Sequence, residues 1–350
     1  MADFLALAAT GIGSVPFTEP QEAVELILAH MPQIPYWPQM VRRGYLEDMT
    51  AQVARGLPTI KVDLAQRLVR VDREVVRDEA LASFYEIVFS GDLEAFAFDP
   101  KEASGFFALL KAAAHCPECQ VLKGQLSGPV TFSVVVKDQI GKPILYDREL
   151  TQAVAQGLAF KAAWQAAKFR DRGKEAIIFF DEPGLTGFGS AFMTASREEV
   201  EEILTQTMET VRQFGPVRLG VHCCGNTDWG MLLDTPIDIL SFDSYGYFEN
   251  LKLYAKPLAK FFDRGGILAW GLVPTGEDLK NETADSLWRR FQEQVKDLSG
   301  ALGMEDREIL SRAWLTPACG MGYLTPDQAR QALGLLSDLS VRGRDWMAKK

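Results

Sequence analysis

Residues 217–243 read VRLGVHCCGNTDWGMLLDTPIDILSFD. The first eight, Val217–Cys224, form a short apolar run that closes on His222-Cys-Cys224. A Gly/Asn/Thr/Asp turn and a brief helical stretch follow. A second apolar run, Ile237–Asp243, then ends in a carboxylate. Working outward, the same pattern recurs: an apolar strand, a Gly/Pro/polar turn, then a longer helical stretch. Candidate strands are Ala8–Val15, Ile34–Trp37, Gln120–Leu126, Ala176–Asp181, Val217–Cys224, Ile237–Asp243, Gly266–Gly271 and Ala313–Thr316. Helix-opening signals lie between them. Thr18-Glu-Pro-Gln21, Ser196-Arg-Glu-Glu199 and Thr325-Pro-Asp-Gln328 have capping-box spacing, and Pro326 suits a first helical position. Eight strand–helix units predict an α/β chain folded as a single (β/α)8 TIM barrel over residues 1–350. The segment Pro58–Asp99 is less regular. Alternation in PTIKVD (58–63) and RLVRVDREVV (67–76) predicts an extra hairpin around 58–80.

A doubly wound open sheet is the competing architecture. Its dinucleotide-binding turn is poorly represented: Gly11-Ile-Gly13-Ser-Val-Pro16 has Pro where the third Gly belongs, and Gly187-Phe-Gly189 lacks that Gly too. Composition narrows function further. With 47% hydrophobic and 24% charged residues the chain is of ordinary globular type. Its 47 acidic and 37 basic residues leave a net charge of -10, which would repel a phosphate backbone and an anionic bilayer. No apolar run reaches the ~18 residues a membrane helix needs. The apolar start, Met1–Ala9, has no basic flank and reads as mature protein rather than a signal peptide. The five cysteines are clustered rather than spread as a disulfide framework, which reads as metal or thiol chemistry in a cytoplasmic protein.

In a barrel, chemistry sits at the carboxyl ends of the strands. The polar residues there are Ser14, Asp181, His222, Cys224, Asp243 and, just past Thr316, Cys319. Strand alternation puts His222 and Cys224 on one face and Cys223 on the other. Gly220 shares the first face and leaves room beneath. One His, two thiolates and a carboxylate suit a tetrahedral zinc site, and soft sulfur with imidazole favours zinc over magnesium or calcium. The same residues would also serve as two buried cysteines and a packed histidine. Cys116-Pro-Glu-Cys119, directly after His115, precedes a strand and so falls at the opposite end. It could be half a zinc knuckle, a redox pair or an incidental structural feature.

Taken together, these motifs resemble the catalytic barrel of cobalamin-independent methionine synthase and its relatives, among them corrinoid-using thiol methyltransferases and, by fold, uroporphyrinogen decarboxylase. The resemblance rests on six ordered stretches: TGIGSVP (10–16), GQLSGPVTFS (124–133), IFFDEPGL (178–185), VHCCGNTD (221–228), DILSFD (238–243) and TPACGMG (316–322). It implies zinc held by His222, Cys224 and Cys319, with Asp243 where the family carries glutamate. It implies that Ser14 and the Ile12-Gly13-Ser14 backbone hold an amino-acid carboxylate, and that Asp181 holds the ammonium. Read without it, Ser14 could merely cap a helix and Asp181 could be structural. The family's second-strand His-Gly-Glu appears here as Arg42-Arg43-Gly44, a pair that could meet an acidic substrate group or simply lie in a solvated loop. The implied activity is methyl transfer to a small thiol, homocysteine first, or a coenzyme M-like acceptor. The CGNT wording (224–227) resembles the corrinoid-using branch, which implies a methylcorrinoid donor on a partner protein. A decarboxylase-like enzyme and a non-catalytic corrinoid-binding module are the alternatives.

Overall fold

The structure is a computed structural model describing residues 5–117, 119–191 and 193–349. Of the apolar start, Met1–Phe4 lies outside the described residues, as does Glu118 of the Cys116–Cys119 motif. Strands β1 (Ile60–Asp63) and β2 (Leu68–Val71) form an antiparallel hairpin, with Ile60 opposite Val71 and Asp63 opposite Leu68. Six further strands, β3 (Val121–Ser127), β4 (Glu175–Asp181), β5 (Arg218–Cys223), β6 (Ile239–Phe242), β7 (Ile267–Val273) and β8 (Ala313–Pro317), form one parallel sheet in sequence order. Parallel strands need crossovers, and helices supply them. Helix Arg148–Arg170 precedes β4 and helix Arg197–Gln213 precedes β5. The second buries Val200, Leu204, Met208 and Val211, a single apolar stripe at helical spacing.

Both faces of the sheet are buried, as parallel sheets require. One face packs under the helices in a continuous core. The other forms a separate cluster that includes Val121, Ile177, Phe179, Ile239, Ile267, Ala269 and Trp314. Register stacks this inner face in levels. Gln125, Phe179, Gly220, Ile239 and Ile267 lie side by side, and the next level up is Ser127, Asp181, His222, Ser241, Ala269 and Trp314. Apolar side chains thus give way to polar ones toward the carboxyl ends. The space expected beneath the ligands at Gly220 is filled: a Cβ there would lie 2.6 Å from the Phe179 ring.

The first two candidate strands, Ala8–Val15 and Ile34–Trp37, are not strands but segments held by isolated bridges. Ala9 bridges Leu315 of β8, Ser14 bridges Gln39, and Tyr36 bridges Lys123 of β3, all in parallel. Gly11, Gly13 and Pro16 in one segment, and Pro35 and Pro38 around the other, explain this: proline donates no ladder bond and glycine weakens a strand. Of the three expected capping boxes two form, at Ser196/Glu199 and Thr325/Gln328. The one expected at Thr18 does not. That helix runs Pro20–His30 with Glu19 at its cap and no side-chain capping bond. Among the described residues no helix is long and apolar enough to cross a membrane.

Candidate metal centre

His222 lies near the end of β5, Cys224 in the turn that follows, and Cys319 in the loop after β8. One ligand atom from each comes within 4.8 Å of the others. Three features of the chain bring them together. His222 and Cys224 alternate onto the same side, while Cys223 is fully buried in the outer core with its thiol directed at the Gly225 carbonyl, 3.5 Å away. Gly271 on β7 has no side chain, and a Cβ there would lie 2.9 Å from the Ala318 backbone, so the Cys319 loop can cross close by. Gly320 and Gly322 seat that loop on Ser14: a Cβ on Gly320 would lie 2.2 Å from the Ser14 hydroxyl, which accepts from the Gly322 N–H at 3.2 Å.

The imidazole of His222 is 2% exposed. Its Nδ1 lies 3.0 Å from the Ser241 hydroxyl on β6, and its Nε2 is buried with no hydrogen-bond partner among the described residues. A buried ring nitrogen without a partner is costly in an inert core and is what a metal-facing ligand requires. The sulfurs are only half-buried, so the centre opens to the mouth. Their proximity, with His222 beside them, lowers the Cys319 thiol below the ordinary thiol range and raises Cys224 above it. Cys223, out of this cluster, is pushed up to about 12 by burial. The donor set of two sulfurs and one imidazole nitrogen fits zinc.

Asp243 stands apart from the ligand group. Its carboxylate caps the helix Ser244–Lys252, accepting from the Gly246 N–H at 2.8 Å, and burial raises its pKa. Asp181 sits between Ser127 and His222 in register, with Oδ1 buried and unpartnered among the described residues. Burial pushes its carboxyl up to about 6, against the pull of His222 and Lys123. Ile12 and Gly13 lead into Ser14, and the Ile12 carbonyl accepts from the ammonium of Lys123 at 2.7 Å. Arg42 and Arg43 are both exposed, and both are tied back to the chain itself. Arg42 donates to the Leu324 carbonyl at 2.6 Å and to that of Gly322 at 3.3 Å, pinning the loop beyond Cys319. Arg43 pairs with Glu47 at 2.9 Å and donates to the Thr18 carbonyl. Cys116 and Cys119 are joined by a disulfide, so these two of the five cysteines are neither free thiols nor half of a zinc knuckle.

Ser241, Lys123 and Glu182 were missed in the sequence. Each carried a faint signal: a hydroxyl two residues before a strand-end carboxylate, a lysine inside an apolar strand, and a second acid beside Asp181. Glu182 is fully buried and accepts from the Val130 and Thr131 N–H groups and the Thr131 hydroxyl. It thereby ties the start of helix Pro129–Val135 to the end of β4.

Fold and site together define an α/β chain with a parallel sheet whose carboxyl end carries a His/Cys/Cys group fit for a metal. Solved structures of similar fold are methionine synthase-like proteins. A B12-independent methionine synthase from Shewanella sp. W3-18-1, in complex with selenomethionine, superposes with a TM-score of 0.60 at 17% identity, covering 99% of this chain and 100% of that one. A candidate vitamin-B12 independent methionine synthase from Listeria monocytogenes gives a TM-score of 0.57 at 14% identity, covering 97% and 98%. No protein-family model matches the sequence, and no curated protein does.

Proposed function

We propose that the chain is a zinc-dependent methyltransferase that moves a methyl group to a small thiol, homocysteine first, giving a thioether. The observation that carries this reading is the convergence of His222, Cys224 and Cys319 at the mouth, with the His222 Nε2 unpartnered. The selenomethionine complex of the Shewanella neighbour supports an amino-acid acceptor. In this reading residues 1–350 are one domain, and the bridged segments around Ala9 and Tyr36 complete a (β/α)8 barrel between β8 and β3.

His222, Cys224 and Cys319 would hold the metal, with Ser241 keeping the imidazole in the tautomer whose Nε2 faces it. Zinc held there would draw the proton from an acceptor thiol and keep its sulfur nucleophilic at neutral pH. The chain's own groups select and orient the acceptor. The free Oδ1 of Asp181 meets an ammonium, and the Ser14 hydroxyl with the Ile12–Ser14 backbone meets a carboxylate. Asp243 stays at its helix cap. Asp181→Asn is expected to raise the KM for homocysteine about tenfold or more while leaving zinc content unchanged, since a charged hydrogen bond is worth ~1.5–3 kcal/mol. An unchanged KM would speak against an amino-acid acceptor.

For the donor we propose a methylcorrinoid presented by a partner protein. The half-buried sulfurs open to the mouth, so a bulky donor can approach them. Both neighbours are named for independence from B12 and match this chain over nearly its whole length, so length does not separate the donors. The experiment is to incubate zinc protein and homocysteine with methylcobalamin or methyl-tetrahydrofolate and measure methionine. Turnover with the corrinoid is expected. Turnover with the folate alone would exclude the corrinoid, and methionine from neither would refute the reading.

A further inference from the structure

Lys123 lies on the inner face of β3, and the chemistry above makes no use of it. It is 1% exposed. Its Nζ donates to the Ile12 carbonyl at 2.7 Å and to Gln125 Oε1 at 3.3 Å, and sits 4.6 Å from the centre of the Phe179 ring. An ammonium in such surroundings is expensive to bury unless its protons are satisfied. Here the strongest bond goes to the turn that precedes Ser14.

That bond has a geometric consequence. A trans peptide carries its C=O and N–H on opposite sides, and the chain has no cis peptide among the described residues. With the Ile12 oxygen turned to Lys123, the Gly13 N–H points away from the lysine. A charge-assisted bond on the oxygen also polarises that N–H. The turn's ties to its neighbours run through other atoms. Gly13 O accepts from the Gln39 N–H, Ser14 O accepts from the Met321 N–H, and the Val15 N–H donates to Gln39 O. Gln125, held by Lys123 and by the Trp37 carbonyl, packs 2.8 Å from where a Gly13 Cβ would lie, which locks the turn from the other side.

We propose that Lys123 is a positioning residue for the acceptor's carboxylate: it fixes the Ile12–Gly13 peptide so that the Gly13 N–H, together with the Ser14 hydroxyl, receives that carboxylate. This rests on the amino-acid thiol reading of the site. The test measures binding to the zinc-loaded protein by titration calorimetry, using homocysteine and 3-aminopropanethiol, which keeps the thiol and amine but lacks the carboxylate. Lys123→Met is expected to weaken homocysteine about tenfold or more and leave 3-aminopropanethiol and zinc content unchanged, the size of one lost charge-assisted bond. Lys123→Arg, which keeps the charge, is expected to restore part of the preference. If Lys123→Met does not fold, Lys123→Gln carries the same comparison with the same expectation. A variant that still prefers homocysteine by the wild-type factor overturns the inference alone, and so does an equal loss for both thiols. A wild-type protein that binds both thiols equally overturns the amino-acid reading, and the inference with it.

Discussion

Cys319→Ala is expected to lose the metal and to lower kcat/KM for thiol methylation by about a thousandfold or more, since removing a direct ligand exceeds the ~10–100-fold typical of supporting residues. Cys319 is half-buried in a loop held independently by the Ser14 hydroxyl and Arg42, so the smaller side chain leaves the fold in place. Cys224→Ala is expected to behave alike. Cys223→Ala is the internal control. Its thiol faces the outer core, so the variant loses about 1 kcal/mol of stability and keeps its metal. Elemental analysis of the three purified variants, with methionine formation alongside, checks this. Metal retained in Cys319→Ala and lost in Cys223→Ala would reverse the ligand assignment.

The second large effect is on stability. Glu182 accepts from the Val130 N–H at 3.0 Å, and from the Thr131 N–H and hydroxyl at 2.6 Å each, with no exposure to water. Glu182→Ala strands three buried donors and is expected to cost about 3 kcal/mol or more. Glu182→Gln keeps one accepting oxygen and is expected to cost less. Gly128→Ala is expected to act through the same carboxylate, because its Cβ would lie 2.2 Å from the Glu182 carboxyl group. The Glu182 N–H also donates to the His222 carbonyl at 2.7 Å, so loosening this joint disturbs the strand that carries His222. Urea unfolding followed by circular dichroism measures all three. Midpoints equal to wild type for Glu182→Ala and Gly128→Ala would show that this joint bears no stability.

Periodicity made the sheet legible. The six apolar runs from Gln120 onward each became a strand of the parallel sheet, because a strand buried on both faces leaves a continuous apolar signature. The runs at Ala8–Val15 and Ile34–Trp37 carried the same signature, but their Gly and Pro residues decide backbone bonding, and each makes only isolated bridges. The site was legible where alternation governs: His222 and Cys224 point together and Cys223 points away. Cys319 was legible only by its place just past a strand's carboxyl end and by motif resemblance, since a loop after β8 has no periodicity to read. Asp243 reads as a fourth ligand because it ends a strand, yet strand ends are also helix starts, and its Oδ1 caps the next helix through Gly246, outside the His222, Cys224 and Cys319 group. Arg42 and Arg43 read as either a contact to an acidic substrate group or a solvated loop pair, and their partners lie 280 residues away in one case and four in the other. Such partners, like the Ser241 contact to His222, depend on which strands become neighbours, and single-strand patterns do not encode that.

X-ray absorption at the zinc edge, with and without homocysteine, tests the central claim most directly. The protein as purified is expected to show two sulfurs at about 2.3 Å and one imidazole nitrogen at ~2.0–2.1 Å, from Cys224, Cys319 and His222. Adding homocysteine is expected to raise the sulfur count to about three, and S-methylated product to leave it at two. Fewer than two sulfurs before addition, or a count that homocysteine does not change, would contradict a thiol-activating zinc centre on these residues.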